Sequence, residues 1–217
     1  VEPFSSIRPF VVGITGSYSA GKTTIADLLV EQLSPRIAVV HLEVDHLGHR
    51  ALEKVADRVI ARFGSTISRE GPDGRIGIDR KALGTIVFRD ARALNDLEKI
   101  VHPVMVAEVD QIIEQAESGV VVLNAAILFK MGLDTRCDWI LGVTAPALVR
   151  LFRALRRDAL SLTQAWQRIR SQKKILPQLS TGNVDIRRVS NWGGKRNIHR
   201  KVETLVRELW KRIEALS

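Results

Sequence analysis

Cysteine is nearly absent from the 217 residues: Cys137 stands alone, which excludes an intramolecular disulfide and any zinc cluster built on cysteines. Nothing in the chain calls for an oxidising compartment. Long apolar runs are missing as well, and none approaches the roughly 18 residues of a membrane-spanning helix. The first residues lack the basic, apolar and small-residue order of a secretory signal, so the expected setting is cytoplasmic, with no membrane partner. Aromatic residues make up 5% of the chain and are not interleaved with basic ones, against the pattern of a single-strand nucleic-acid binder. There is no internal repeat and no low-complexity tract. His41, His46, His49 and His199 do not fall at metal-ligand spacing.

What is present is an ordinary globular composition, 45% hydrophobic and 26% charged, in a chain long enough for one full core or one core plus a small appended domain. Lys and Arg number 33 against 24 Asp and Glu, a formal charge of +9. The surplus is uneven. Up to residue 145 there are 16 basic and 19 acidic side chains, and from residue 146 onward there are 17 and 5. The basic character therefore belongs to the last third. A nucleic-acid surface, a phosphate-rich small-molecule site and a solvated basic face all remain open on charge alone.

Periodicity divides the chain into alternating elements. Phe10-Val11-Val12-Gly13-Ile14-Thr15 predicts a strand that runs into a Gly-containing turn, and Ile25, Leu28, Leu29 and Leu33 share one face of a following helix. Residues 37–44 predict a second strand, and residues 47–63 a mostly helical stretch. The cluster Glu70-Gly71-Pro72-Asp73-Gly74 marks a turn. Residues 79–118 read as helical, with His102-Pro103 forcing a boundary or kink. Unalternating apolar runs at 119–128 and 139–143 predict parallel strands covered on both faces. Helices are expected from Pro146 and from Ser161, a short strand at 184–189, and a last helix with Val202, Leu205, Val206, Leu209, Ile213 and Leu216 on one side. The alternation indicates an α/β fold around a parallel sheet. Residues 46–118 carry no expected strand and read as a helical insertion.

The chemistry is concentrated in Gly16-Ser17-Tyr18-Ser19-Ala20-Gly21-Lys22-Thr23, which fits the pattern of glycine, four residues, then Gly-Lys-Ser/Thr between a strand and a helix. Such a loop curls its backbone N–H groups around a phosphate at the positive end of the helix dipole. Lys22 would then meet the β- and γ-phosphates and the Thr23 hydroxyl would enter a magnesium shell. The motif identifies a nucleotide site without naming its acceptor. Asp45 ends the second apolar run, where open parallel sheets collect functional residues. It reads equally as a general base for an attacking hydroxyl and as the N-cap of a helix starting at His46 or Leu47.

At 100° per residue, Arg150, Arg153 and Arg157 lie within about 60° of one another. Leu148, Leu151, Phe152 and Leu155 take the opposite side, so the expectation is an apolar face in the core and a row of guanidiniums over phosphates. A solvated basic face is the competing expectation. His102, before a proline and without metal partners, reads as a structural histidine.

Taken in order, these motifs resemble the dephospho-CoA kinases, of the P-loop nucleotide-kinase-like fold, over roughly residues 11–193. The resemblance rests on the phosphate loop, Val44-Asp45 with His49, Gly77-Ile78-Asp79-Arg80 with Leu83 and Val87-Phe88, and Leu97-Glu98 with His102-Pro103. It continues through Ile127-Leu128-Phe129, Arg157-Asp158 with Leu160-Ser161, and Arg168-Ile169 with Gln172. It implies a P-loop NTPase fold with a five-stranded parallel sheet flanked by helices, a single kinase unit over 1–217 with a helical acceptor-binding insertion at 46–118, and arginine-bearing lid helices at 150–180. It also implies transfer of the ATP γ-phosphoryl group to the 3′-hydroxyl of dephospho-CoA with Mg2+. Asp45, Lys22, Arg153 and Arg157 would be catalytic. Gly16, Ser17, Tyr18, Ser19, Ala20, Gly21, Lys22, Thr23, Thr24 and Asn191 would bind ATP, with Asn191-Trp192-Gly193 beside the adenine and Thr23 on the metal. Asp45, His49, Asp79, Arg80 and His102 would serve the acceptor.

The chain has its own departures. Ala126-Ile127-Leu128-Phe129-Lys130 stands where family members usually carry Pro-Leu-Leu-Phe-Glu, Asn124 offers no carboxylate to magnesium, and Tyr18 and Ala20 replace smaller or Gly/Ser-type loop residues. Two other functions stay open at this point: a kinase of the same fold acting on another hydroxyl acceptor, such as a nucleoside or nucleotide, and a non-catalytic, nucleotide-gated or nucleic-acid-binding module.

Overall fold

The computed structural model describes residues 8–71, 74, 76–116, 118–158, 161–171 and 184–216. Pro72, Asp73, Leu160, Gln172 and the 172–180 part of the expected lid lie outside the described residues. Contacts divide the chain into two compact units, one of Val1–Glu43 with Ile113–Ser217 and the other of Val44–Ile112.

The first unit is built on five parallel strands: β1 (Phe10–Gly16), β2 (Val39–Glu43), β5 (Val120–Asn124), β6 (Trp139–Thr144) and β7 (Ile186–Ser190), in the spatial order β2-β5-β1-β6-β7. Strand β1 lies at the centre, and all seven of its residues are buried. Its register sets Phe10 against Val120 on one side and Val12 against Trp139 on the other. Because side chains alternate along a strand, Phe10, Val12 and Ile14 point to one face. There they meet Ile25, Leu29 and Leu33 of α1 (Lys22–Leu33) and Val202, Leu205, Leu209 and Ile213 of α8 (Lys195–Leu216). The opposite face is covered as well. A Cβ added at Gly13 would lie 2.7 Å from Cys137 Sγ and 2.9 Å from Leu128 Cδ1, so only glycine lets that layer approach β1. Two covered faces explain why β1, β5 and β6 read as continuous apolar runs. The first unit also carries α6 (Ala147–Asp158) and α7 (Leu162–Ser171). Helix α7 opens on reciprocal bonds, Ser161 Oγ accepting from the Gln164 amide at 3.3 Å and Gln164 Oε1 accepting from the Ser161 amide at 3.1 Å.

The second unit holds α2 (Val44–Lys54), α3 (Ala56–Phe63), α4 (Arg80–Val87) and α5 (Ala91–Gln115), the last reaching past its boundary. It also contains strands, which corrects the expectation of none: β3 (Ser68–Glu70) pairs antiparallel with β4 (Ile76–Ile78), Arg69 opposite Gly77. Each strand is three residues long, too short for a period of two to register in sequence. Of the boundary or kink expected at His102-Pro103, the boundary is absent: Pro103 sits inside α5, on an exposed position, where the Lys99 carbonyl it leaves without a donor is also on an exposed residue.

Among the described residues, no helix is long and apolar enough to cross a membrane.

Candidate active site

Five residues, 17 to 21, join β1 to α1 and form the loop of the phosphate motif. Apart from Gly21 and the half-buried Tyr18 they are buried, Ala20 completely. The backbone turns through the left-handed region twice, at Ser19 with φ 57° and at Gly21 with φ 85°. At Gly21 a side chain is excluded twice over: the conformation disfavours a Cβ, and a Cβ there would overlap Asn191 Nδ2 and lie 3.2 Å from Arg153 Nη1.

Those two neighbours belong to a set of donors around the outside of the loop. Arg150 Nε donates to the Tyr18 carbonyl at 2.9 Å, and Arg153 Nη1 donates to the Ala20 carbonyl at 3.1 Å. Asn191 Nδ2, from the segment after β7, donates to the Ala20 carbonyl at 2.9 Å and to the Gly21 carbonyl at 3.1 Å. Arg153 Nη2 then holds the Asn191 carbonyl at 3.1 Å. A carbonyl held outward turns the next N–H inward, because the two point in opposite directions across a trans peptide. The amides of Ser19, Gly21 and Lys22 are therefore turned away from these donors. Those of Ser19 and Gly21 carry no hydrogen bond among the described residues. Lys22 Nζ rests at 3.2 Å from the Gly16 carbonyl, arched back over the loop.

Helix α6 supplies the arginines in an arrangement that reverses the expected one. Arg150 and Ala154 are its buried residues, whereas Leu148 is 75% exposed and Phe152 61% exposed. The guanidinium side faces the protein and much of the apolar side faces outward. The expectation failed because buried loop carbonyls, invisible in a local pattern, are better partners for Arg150 and Arg153 than water is. Burial alone pushes the Arg150 guanidinium below its ordinary value, and no carboxylate pairs with it among the described residues. Arg157 is engaged differently. Its Nε donates to Asp158 Oδ1 at 2.7 Å, and its guanidinium lies 5.5 Å from the centre of the Tyr18 ring. The Tyr18 hydroxyl donates to Asp158 Oδ2, and Arg168 of α7 approaches the same ring at 5.8 Å. With Arg157 first and Tyr18 second as donors, the Asp158 carboxyl is held down at about 2, and the same pairing raises Arg157.

Thr23 and Thr24 are exposed in the first turn of α1. Asn124, at the end of β5 and 5% exposed, donates from Nδ2 to Thr23 Oγ1 at 3.2 Å. Among the described residues no group of three or more His, Cys, Asp or Glu side chains is arranged to hold a metal ion. A magnesium ion fits this setting through Thr23, since Mg2+ keeps several waters and uses phosphate oxygens rather than a protein cage.

Asp45 is the second residue of α2, which begins at Val44, so the expected N-cap position at the front of a helix starting at 46 or 47 is not the one it occupies. Its side chain is exposed and makes no hydrogen bond or ion pair among the described residues. His49, in the same helix, is exposed, and His102 is half-buried in α5. Asp79 caps α4: Oδ1 accepts from the amides of Lys81 at 2.9 Å and Ala82 at 3.0 Å, and these two bonds pull its carboxyl below the usual range. Arg80 Nη2 pairs with Glu53 Oε1 at 2.8 Å. Asp79, Arg80 and Glu53 line an open cavity of about 860 Å3 with Arg69, Ile76 and Ile78, within the second unit.

Three contacts were not anticipated from the sequence. Arg150 as a carbonyl donor and Asn124 as the partner of Thr23 leave no local signal. Asp158 does leave one, as the single acid between Asp138 and Asp185 in a strongly basic stretch.

Comparison with known proteins identifies the family of the chain. The family model described as dephospho-CoA kinase matches residues 10–189. A dephospho-CoA kinase of Geobacter sulfurreducens is 34% identical over 209 residues, 92% of this chain and 96% of the relative. Another, of Moorella thermoacetica, is 34% identical over 170 residues, 75% and 76% of the two chains. Among solved structures, TT1252 from Thermus thermophilus superposes with a TM-score of 0.73 at 28% identity, covering 93% of this chain and 98% of that one. The phosphate-loop motif after the central strand of a five-stranded parallel sheet, inside a family match that spans most of the sequence, leads to one conclusion: the chain belongs to the dephospho-CoA kinase family.

Proposed function

We propose that the chain transfers the γ-phosphoryl group of ATP to the ribose 3′-hydroxyl of dephospho-CoA, giving coenzyme A and ADP. The observation that carries this reading is the loop at residues 17–21, whose Ser19 and Gly21 amides have no hydrogen-bond partner among the described residues, in a chain of this family. In it the loop amides and the Lys22 ammonium bind the β- and γ-phosphates, with Gly16, Ser17, Tyr18, Ala20 and Thr24 shaping the site and Asn191 bordering the nucleotide. Thr23 would hold Mg2+, which when bound offsets charge on the phosphates.

The step itself needs little covalent help from the protein. The acceptor O–H gives its proton to the Asp45 carboxylate while its oxygen bonds to the γ-phosphorus, and the bond to the β,γ-bridging oxygen breaks as ADP leaves. The exposed, unengaged carboxylate of Asp45 supports this role. Arg153 and Arg157 offset the charge on the transferring group, for which Arg157 exchanges the Asp158 carboxylate for phosphate oxygens. On the acceptor side the reading uses His49, Asp79, Arg80 and His102 with Asp45, and the cavity beside Arg80 offers room for part of a large acceptor. A cytoplasmic setting goes with these substrates and with the lone thiol of Cys137.

Incubating the purified chain with ATP, Mg2+ and dephospho-CoA tests the reading by mass spectrometry of the products. Coenzyme A and ADP should appear in equal amounts, and nucleosides or nucleotides offered as acceptors should remain unchanged. Intact ATP binding without coenzyme A formation sinks the assignment of the acceptor.

A further inference from the structure

Arg150 presents a physical problem that the proposed chemistry leaves unsolved. It is the most buried arginine described, 9% exposed, yet among the described residues it pairs with no carboxylate and its Nη2 has no hydrogen-bond partner. Burying a guanidinium in this way is unfavourable unless the group does something in return. Among the described residues its guanidinium makes one hydrogen bond, from Nε to the carbonyl of Tyr18 in the phosphate loop. Eight residues on, the same helix holds the other end of Tyr18, whose hydroxyl donates to Asp158. Tyr18 is thus gripped at its main chain and at its side chain by α6, and the peptide between Tyr18 and Ser19 has one orientation.

We infer that Arg150 is a positioning residue: by holding the Tyr18 carbonyl outward through Nε–H, it aims the Ser19 amide into the loop, where it meets a phosphate of the bound nucleotide. The inference rests on the reading of the loop as an ATP site and deepens it. It gives Arg150 a task other than the direct contact with phosphate that the Arg150, Arg153 and Arg157 row suggested. The neighbouring donors extend the same principle, since the Ala20 and Gly21 carbonyls are held by Arg153 and Asn191, which turns the Gly21 and Lys22 amides the same way.

Side-chain chemistry separates this role from a direct charge contact. Along the chain from Cα, the amide nitrogen of glutamine occupies the place of Nε in arginine, so Arg150→Gln keeps a donor at the bonding atom and deletes the charge. Arg150→Met puts a methyl carbon in that place. ATP affinity of the full chain, measured by calorimetry, should fall about tenfold in Arg150→Met, the scale of losing a hydrogen bond from a charged group, and return to within about threefold of the parent in Arg150→Gln. Equal losses in the two variants mean that the charge acts on phosphate directly, and no loss in either means that the bond positions nothing; each overturns the inference. If the Met variant does not fold, the Ser19 amide resonance of the Gln variant decides: a parent-like shift on adding ATP supports positioning, and a missing shift overturns it. A parent chain that binds no ATP would instead sink the reading of the loop itself.

Discussion

Replacing Gly21 by alanine measures how tightly the phosphate loop is braced. The residue sits at φ 85°, where an L side chain costs about 1–2 kcal/mol. The new Cβ would also overlap Asn191 Nδ2, and Asn191, only 1% exposed, has no open space into which to withdraw. Moving it breaks its bonds to the Ala20 and Gly21 carbonyls, together about 2 kcal/mol at the usual net value of about 1 kcal/mol each. The net value applies because neither carbonyl is orphaned: Arg153 Nη1 still reaches Ala20 and the Ile25 amide still reaches Gly21. Gly21→Ala should therefore destabilise the chain by about 3–4 kcal/mol, and Asn191→Ala by about 2 kcal/mol.

The double variant provides the sharper number. Once Asn191 is truncated there is nothing left for the alanine to displace, so the two bonds are lost once rather than twice. The double variant should cost about 3–4 kcal/mol, some 2 kcal/mol less than the sum of its parts. Gly132 supplies the control, since it shares the left-handed conformation, with φ 69° and ψ 18°, and has nothing within 4 Å of an added Cβ. Gly132→Ala should show the conformational cost alone, about 1–2 kcal/mol. Urea unfolding of the five proteins gives every quantity. Additivity of Gly21→Ala and Asn191→Ala to within about 0.5 kcal/mol, or equal costs at Gly21 and Gly132, would refute the account of the brace.

Three further outcomes follow from particular side chains. Asp45→Asn should retain ATP binding and lose phosphoryl transfer by about two orders of magnitude, the scale of general-base catalysis, and near-normal turnover would remove Asp45 from that role. The Asp158 carboxyl, held at about 2 by Arg157 and Tyr18, lies below its unfolded value of about 4, so its stabilisation is complete above pH 4 and disappears as pH falls toward 2. The gap in Tm between the parent and Asp158→Asn should accordingly narrow from pH 5 to pH 2, and a constant gap would mean that the pairing is not made. Phe152→Ser should change stability by less than about 0.5 kcal/mol because the ring is 61% exposed, and a cost above about 2 kcal/mol in thermal unfolding would put the apolar side of α6 back into the core.

The legible parts of the sequence were those where one period or one motif acts alone. Strand β1, the loop and α1 follow from an apolar run, a glycine pattern and a helical stripe, and the runs at 119–128 and 139–143 mark β5 and β6 because a buried parallel strand is apolar on both faces. Where long-range contacts decide, local pattern failed. Ser68-Arg69-Glu70 has no apolar residue, and its pairing with Ile76-Gly77-Ile78 is fixed across a turn rather than by its own sequence. Pro103 marks no helix boundary, because the Lys99 carbonyl it leaves without a donor is on an exposed residue. Asp45 stands in the first turn of α2 rather than before it, because the helix begins directly after Glu43 with no connecting loop. The faces of α6 were inverted since the acceptors for Arg150 and Arg153 lie more than 130 residues earlier in the chain.

That inversion also accounts for part of the basic surplus. A cation paired with a carboxylate contributes little net field, and Arg157 with Asp158, Arg187 with Glu208 and Arg212 with Asp185 are of this kind. A cation held by a carbonyl oxygen keeps its full charge. Arg150 and Arg153 are held so at the loop, and Lys201 so at Ser190, at 2.7 Å. Two guanidiniums are therefore fixed against the backbone of the phosphate loop before any anion arrives, and their orientation needs no further ordering when one does. At Arg150 that fixity serves the Tyr18 carbonyl, whereas at Arg153 a fixed charge stabilises a polyphosphate more effectively than mobile surface lysines, which must give up side-chain entropy on contact. On α6 two kinds of arginine stand on one helix: Arg150 is buried against the loop carbonyl, while Arg156 and Arg157 are exposed, so of these only the first is held in place by the backbone of the loop.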